Sequence, residues 1–198
     1  MLQKDISTEK FKKIYKYSEI LQEAIMIDTK EKLRHCLNVE KKIYFPQGGT
    51  RIPLGIREKD ILYGYVYNLR MAEYHKNRGN RFLGAFYLIR LRLMQNKYGI
   101  YIPLNVCDEG LSIAHVGPII INGRCKIGKN LRIHVGVNLG ANGGEPPKLG
   151  DNVYIGPGAK IFGDIKIANG CRIGANAVVN KSCDIEGATL VGIPAKVI

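Results

Sequence analysis

The chain has 198 residues and a formal net charge of +13, with 45% hydrophobic and 24% charged residues. This composition is ordinary for a globular protein of one or two domains and excludes a largely disordered chain. No apolar run approaches the roughly 18 residues of a membrane helix, and the N-terminus lacks the apolar stretch of a signal peptide. We therefore expect a cytoplasmic protein.

Residues 1–102 are predicted to form a mainly helical N-terminal region. Apolar residues recur at helical spacing in residues 11–27 and 61–94, and prolines and glycines between residues 46 and 53 indicate a loop that separates them. The last predicted helix covers about residues 81–97. Its apolar stripe is Phe82, Phe86, Ile89 and Leu93.

The positive charge is concentrated in this helical region, which has 20 Lys/Arg against 10 Asp/Glu, whereas residues 103–198 have 10 against 7. Two interpretations remain open. The last helix packs on the rest of the protein or on another subunit with a solvated basic face, or this face contacts a membrane surface or an anionic glycan. Nucleic acid is not expected, because no DNA-binding signature accompanies the charge.

Most of residues 103–198 carry an aliphatic residue at every sixth position, with one break between Leu139 and Leu149, and this period matches neither a helix nor an alternating strand. Such a repeat predicts a parallel β-helix of about five coils and an α+β fold overall. Gly or Asn follows most of these aliphatics, as tight corners require. The aliphatic positions are Ile121, Ile127, Ile133, Leu139, Leu149, Ile155, Ile161, Ile167, Ile173, Val179, Ile185, Val191 and Val197.

Small side chains occupy the fourth position after many of the aliphatics and are predicted to fill the interior of the coil. Three of the five cysteines fall there, and the chain has no Cys-x-x-Cys pair. We expect all five to be reduced. They are Cys36, Cys107, Cys125, Cys171 and Cys183.

The register predicts where a site would lie. It places His115 in a column with the aliphatics and His134 one coil away, about 4.8 Å along the axis. Small residues continue below the histidines and are predicted to leave room for an extended ligand: Gly156, Gly174, Gly192, Ala159, Ala177 and Ala195. The break in the repeat, residues 140–148, is predicted to form a loop beside the histidines.

The sequence GPGAKIFGDIKIANGCRIGANAVV with GIPAKVI, together with LSIAHVGPIIINGRCKIGKNLRIHVGVNLG upstream, resembles the hexapeptide-repeat serine O-acetyltransferases. It is most similar to the related O-acetyltransferases found with capsule and exopolysaccharide genes, over about residues 68–198. The resemblance implies a left-handed β-helix, a homotrimer, acetyl-CoA as the acyl donor and no metal. It also implies that His115 is the general base, since an imidazole can take a hydroxyl proton at neutral pH.

His134 is either a second catalytic residue or a corner residue at the surface. The glycine-rich loop 140–144 is expected to supply the backbone N–H groups that stabilise the oxyanion. We expect acetyl-CoA to bind along the strip, with lysines at its phosphates. The candidate CoA-binding residues are Gly140, Ala141, Lys148, Gly158, Ala159, Lys160, Ala177 and Lys196.

The acceptor is open at this stage. Serine acetyltransferases have two aspartates and a second histidine where this chain has Ala114, Ile100 and Pro146. We therefore expect a sugar hydroxyl in surface-polysaccharide synthesis as the acceptor, with L-serine as the alternative. A catalytically silent CoA-binding or scaffold protein is a third reading. A γ-class carbonic anhydrase is excluded, because it needs three histidines from the coils and only two lie there.

Overall fold

Three helices precede the β-helix in the computed structural model, which describes residues 26–48 and 57–198. They are α1 (Lys30–Tyr44), α2 (Glu58–Asn77) and α3 (Arg81–Tyr98). Thr29 and Asn80 begin α1 and α3 by accepting hydrogen bonds from backbone N–H groups of the first turn. The helix predicted in residues 11–27 lies almost entirely outside the described residues, as does much of the loop after it.

Five coils of parallel strands follow, beginning directly after α3, and they form three sheets that enclose the core. Sheet A contains β1 (Ile100–Tyr101), β3 (Ile119–Ile121), β6 (Asn138–Gly140), β9 (Lys160–Phe162) and β12 (Val178–Val179). Sheet B contains β4 (Lys126–Ile127), β7 (Lys148–Leu149) and β10 (Lys166–Ile167). Sheet C contains β2 (Ser112–Ile113), β5 (Arg132–Ile133), β8 (Tyr154–Ile155), β11 (Arg172–Ile173), β13 (Thr189–Gly192) and the antiparallel β14 (Ala195–Val197).

The predicted six-residue register is correct in the middle coils and wrong at both ends. The interior column of sheet C is Ile113, Ile133, Ile155, Ile173 and Leu190, all buried. His115 therefore lies two residues beyond the aliphatic position, and in the last coil Cys183, not Ile185, pairs with Ile167. The register shifts because the coils differ in length: Arg132 is twenty residues after its partner Ser112, whereas Thr189 is seventeen after Arg172.

All five cysteines are buried and unbridged, as predicted.

Polar side chains of the helices cap the open end of the first coil. The Tyr44 hydroxyl accepts from the Ile113 N–H and donates to the Leu111 carbonyl. The Tyr65 hydroxyl accepts from the Ile102 N–H and donates to the Ile100 carbonyl. These backbone groups have no preceding coil to pair with, and leaving them buried without partners would be costly.

Arg70 lies at the centre of this cap and is fully buried. All five guanidinium N–H groups donate, to the carboxylates of Glu40 and Glu73 and to the carbonyls of Cys107 and Asp108, at 2.7–3.0 Å. Glu40 also accepts from the Leu111 N–H at 3.3 Å. Arg70 thus joins α1, α2 and the first coil.

The apolar stripe of α3 faces outward. Phe82 is 91% exposed and Leu93 66%, whereas α3 buries Gly84, Leu91 and Gln95. The stripe therefore does not pack on the β-helix of its own chain. The helix packs there through its other face, with Leu91 in the core and Gln95 donating to the Ile102 carbonyl, as the first interpretation predicted for the helix but not for its stripe. Contact with another subunit, a membrane surface or an anionic glycan stays a prediction. Across residues 26–48 and 57–198, the structure contains no helix long and apolar enough to cross a membrane.

We predict that Arg70→Ala destabilises the fold by about 3–5 kcal/mol, because it leaves the buried carboxylates of Glu40 and Glu73 without their counter-charge. Urea unfolding followed by circular dichroism measures this change. The matched control is Arg90→Ala on the exposed face of α3, which should change the free energy of unfolding by no more than about 0.5 kcal/mol. A loss below about 1 kcal/mol for Arg70→Ala would contradict the capping role.

Candidate active site

The two histidines of the β-helix lie together where the chain turns from sheet C to sheet A. We call residues 114–117 and 134–136 the histidine corner. The ring centroids of His115 and His134 are 6.1 Å apart, further than one coil spacing because the two residues are not at equivalent register positions. The backbone N–H of Ala114, not that of His115, bonds to the Ile133 carbonyl immediately before His134.

His115 is the more accessible histidine, with 62% of its side chain exposed. Its Nδ1 lies 3.3 Å from Oε2 of Glu58, the first residue of α2. The second carboxylate oxygen of Glu58 accepts from the backbone N–H of Val116 at 2.9 Å. This arrangement leaves Nε2 of His115 available to take a proton from an incoming hydroxyl.

His134 is half-buried between its neighbours on sheet C. Its ring packs edge-on against Tyr154, with the two ring centroids 5.2 Å apart. The guanidinium carbon of Arg172 lies 4.7 Å from the centroid of the same Tyr154 ring. Burial lowers the pKa of His134, and the nearby charges of Arg132 and His115 lower it further. His134 is therefore neutral at neutral pH. Its Nε2 is buried and has no hydrogen-bond partner among the described residues.

Two of the candidate CoA-binding residues lie at the histidine corner. The backbone N–H of Gly158 donates to the carbonyl of Val135, and the Lys160 ammonium donates to the carbonyl of Gly136. Lys160 thus places a positive charge directly on the backbone of the histidine corner.

The other candidates lie elsewhere. Gly140 ends β6 and Ala141 begins the exposed loop, so both are at the turn from sheet A to sheet B. Strand β6 separates this loop from the histidine corner, which corrects the expectation that the loop lies beside the histidines of its own chain. Lys148 begins β7 in sheet B, and Lys196 is in β14 at the far end of the β-helix.

The predicted strip of small residues is part of the packing between coils. Ala159 and Ala177 have no exposed surface, so their side chains face the core and cannot contact a ligand. A Cβ on Gly156 would come within 2.9 Å of the Ala175 nitrogen and the Ile173 oxygen of the next coil. Gly156 is therefore required by the close approach of the two coils, and neither it nor these two alanines offers a surface to a ligand.

Glu58 contacts the histidine corner but was not predicted from the sequence. It is 57 positions from His115, and its only local signal is that of an acidic residue in the first turn of a helix. Such a residue is favourable at any helix N-terminus, so the pattern does not indicate a site.

Comparison with known proteins agrees with this fold. Residues 146–181 match the family described as bacterial transferase hexapeptide (six repeats). A serine acetyltransferase of Staphylococcus aureus is 44% identical over 92 residues, which are 44% of this chain and 43% of that protein. The chain therefore matches less than half the length of this curated relative.

Solved structures extend the similarity into the helices. A serine acetyltransferase of Neisseria gonorrhoeae is 26% identical with a TM-score of 0.64, covering 85% of this chain and 66% of that one. The enzyme of Brucella abortus is 25% identical with a TM-score of 0.65, covering 83% and 68%. A second Neisseria structure, also 26% identical, is a complex with serine.

The chain is a hexapeptide-repeat β-helix protein. Its arrangement of N-terminal helices and about five parallel coils is that of the serine acetyltransferases. The relatives described above are named as serine acetyltransferases, and none of them is named for polysaccharide synthesis.

We predict that Gly156→Ala destabilises the fold by about 1–3 kcal/mol, because the added methyl overlaps backbone atoms of the next coil. Thermal unfolding measures this change. Gly144→Ala is the matched control, since nothing lies within 4 Å of its Cβ position. If Gly156→Ala kept its stability and lost only affinity for CoA, the glycine would be providing room for the ligand after all.

Proposed function

We propose that this protein is an acetyl-CoA-dependent O-acetyltransferase that acetylates the hydroxyl of L-serine, with His115 as the general base. The observation that carries the proposal is the exposed imidazole of His115, held on a hexapeptide-repeat β-helix with its Nδ1 against Glu58. Similarity to serine acetyltransferases supports the donor and the acceptor.

In the proposed reaction, the serine oxygen attacks the carbonyl carbon of the thioester while its proton passes to Nε2 of His115. The tetrahedral intermediate then collapses, the carbon–sulfur bond breaks, and the imidazolium returns the proton to the leaving thiolate. The products are O-acetylserine and CoA. The thioester is already activated for acyl transfer, so the proposed reaction uses no metal.

A sugar hydroxyl is the second candidate acceptor. The sequence supports keeping it, because Ile100 and Ala114 stand at the two positions where serine acetyltransferases have aspartates, and neither side chain offers a carboxylate to an amino acid. The same imidazole would deprotonate a sugar hydroxyl by the same chemistry. A catalytically silent CoA-binding protein is the remaining alternative.

We also propose that the active form is a homotrimer. In one chain, the exposed loop at residues 141–145 lies at the turn from sheet A to sheet B, away from His115. A neighbouring β-helix would bring its own loop against the histidine corner and supply backbone N–H groups to the oxyanion. Sedimentation equilibrium should give three times the mass of the 22.1 kDa chain; a monomer with full activity would contradict the proposal.

We predict that His115→Ala lowers kcat at least about 100-fold, because proton removal from the hydroxyl loses its base. Release of free thiol from acetyl-CoA, with L-serine and then with sugar acceptors, measures the rate. His134→Ala should lower kcat as well if its neutral imidazole contributes to the site; an unchanged rate would assign it to packing against Tyr154.

The matched control is His35→Ala. It removes a histidine of α1 that is paired with Glu109, and it should leave the rate unchanged. Turnover with a sugar and not with L-serine would select the second acceptor. Binding of acetyl-CoA without turnover on any acceptor would contradict the proposal of an enzyme and would support a catalytically silent CoA-binding protein.

A further inference from the structure

We propose that Glu58 is the positioning residue of the general base, which it holds in the tautomer that leaves Nε2 free. This inference rests on the proposed function of His115. It adds a residue from the helical region, 57 positions away in sequence, to a site that is otherwise built by the β-helix.

The carboxylate of Glu58 is fixed by two contacts with consecutive residues. One oxygen accepts from the backbone N–H of Val116 at 2.9 Å, and the other lies 3.3 Å from Nδ1 of His115. Because Val116 directly follows His115, the carboxylate is aligned on the backbone that carries the imidazole. A contact with the imidazole alone would leave a half-exposed glutamate free to rotate away.

Glu58 is ionised when it makes these contacts. The hydrogen bond from the Val116 N–H lowers the pKa of Glu58, and the contact with His115 lowers it further. The neighbouring Arg57 is paired with Asp60 at 2.9 Å on the same helix, so its charge is directed to another carboxylate.

Helix α2 holds Glu58 in place from its own buried face. Tyr65 lies seven residues, or two turns, beyond Glu58, and residues at that spacing share a helix face. Its hydroxyl is bonded to the backbone of Ile100 and Ile102 in the first coil, and Arg70, five residues further along α2, donates to the Cys107 carbonyl of the same coil. The first residue of α2 therefore reaches the histidine corner from a helix that is itself attached to the β-helix.

A carboxylate at Nδ1 has two effects on an imidazole base. It accepts the Nδ1 proton, so that the lone pair of the neutral ring lies on Nε2, and it stabilises the imidazolium that forms as the hydroxyl proton is taken. Among the described residues, the other titratable groups near His115 are His134, whose ring is 6.1 Å away, Arg132 beside His134, and Lys160 on the Gly136 carbonyl. All three are neutral or positive, so Glu58 supplies the negative charge.

The variant Glu58→Gln tests this role, because its amide oxygen can still accept from the Val116 N–H while the charge is lost. We expect kcat with L-serine to fall about ten-fold, less than for a fully buried pair because both side chains are about half exposed. The KM values should change less than about two-fold, since the acceptor contacts Nε2.

A second readout does not depend on turnover. Nitrogen-15 NMR of the histidine side chains at neutral pH should find His115 mainly with its proton on Nδ1 in the wild type, and shifted toward the Nε2–H tautomer in Glu58→Gln. The matched control is Glu109→Gln, which removes the carboxylate from the second His–Glu contact between a helix and the β-helix, at His35. It should alter neither the rate nor the tautomer of His115.

An unchanged kcat together with an unchanged tautomer in Glu58→Gln would overturn the proposal. A rise in the KM for L-serine with kcat intact would also overturn it, and would make Glu58 an acceptor-binding residue. If the wild type turns over no acceptor, the proposed function fails, and the NMR measurement alone decides whether Glu58 positions His115. Glu58→Ala, which loses the Val116 contact too, should lower kcat at least as far as Glu58→Gln.

Discussion

The open end of the β-helix is the constraint on which the rest of the structure depends. Each middle coil pairs its backbone with the coils on either side, but the first coil has no predecessor. The helices supply the missing partners through Tyr44, Tyr65 and the buried Arg70 with its two glutamates. A buried charge cluster is not by itself strong evidence of stability, but this one bonds α1, α2 and the first coil to one another. That seating also decides where the N-terminus of α2 comes to lie, and hence places Glu58 at His115.

The candidate site combines a firmly held backbone with an exposed imidazole side chain. The backbone of the histidine corner is held by bonds between coils, while the His115 side chain is open to solvent and ready to meet an acceptor. Because Gly156 and Gly174 lie close against the next coil, room for an extended CoA has to come from a surface other than their part of that column. A cleft between two β-helices would provide this room and would also explain why the glycine-rich loop lies at a different corner from the histidines.

Much of the β-helix and the position of its two histidines could be predicted from the six-residue period. Short strands separated by tight corners impose that period directly on the sequence. The period identified the β-helix, the buried cysteines and the proximity of His115 and His134. It failed where coils were a residue or two longer or shorter, so that His115 was assigned to the aliphatic position that Ile113 occupies. Glu58 could not be found in this way, since its contact joins two regions with different periodicities. No aspartate stands at Ile100 or Ala114, but the helical region provides a carboxylate at His115.

The most direct test of the account is a crystal structure of the protein with CoA and L-serine bound. We predict that the serine hydroxyl lies within about 3.2 Å of Nε2 of His115, with the CoA sulfur beside it and the Glu58 carboxylate still in contact with Nδ1. Serine bound away from the histidine corner, or His115 turned so that its Nε2 faces Glu58, would contradict it.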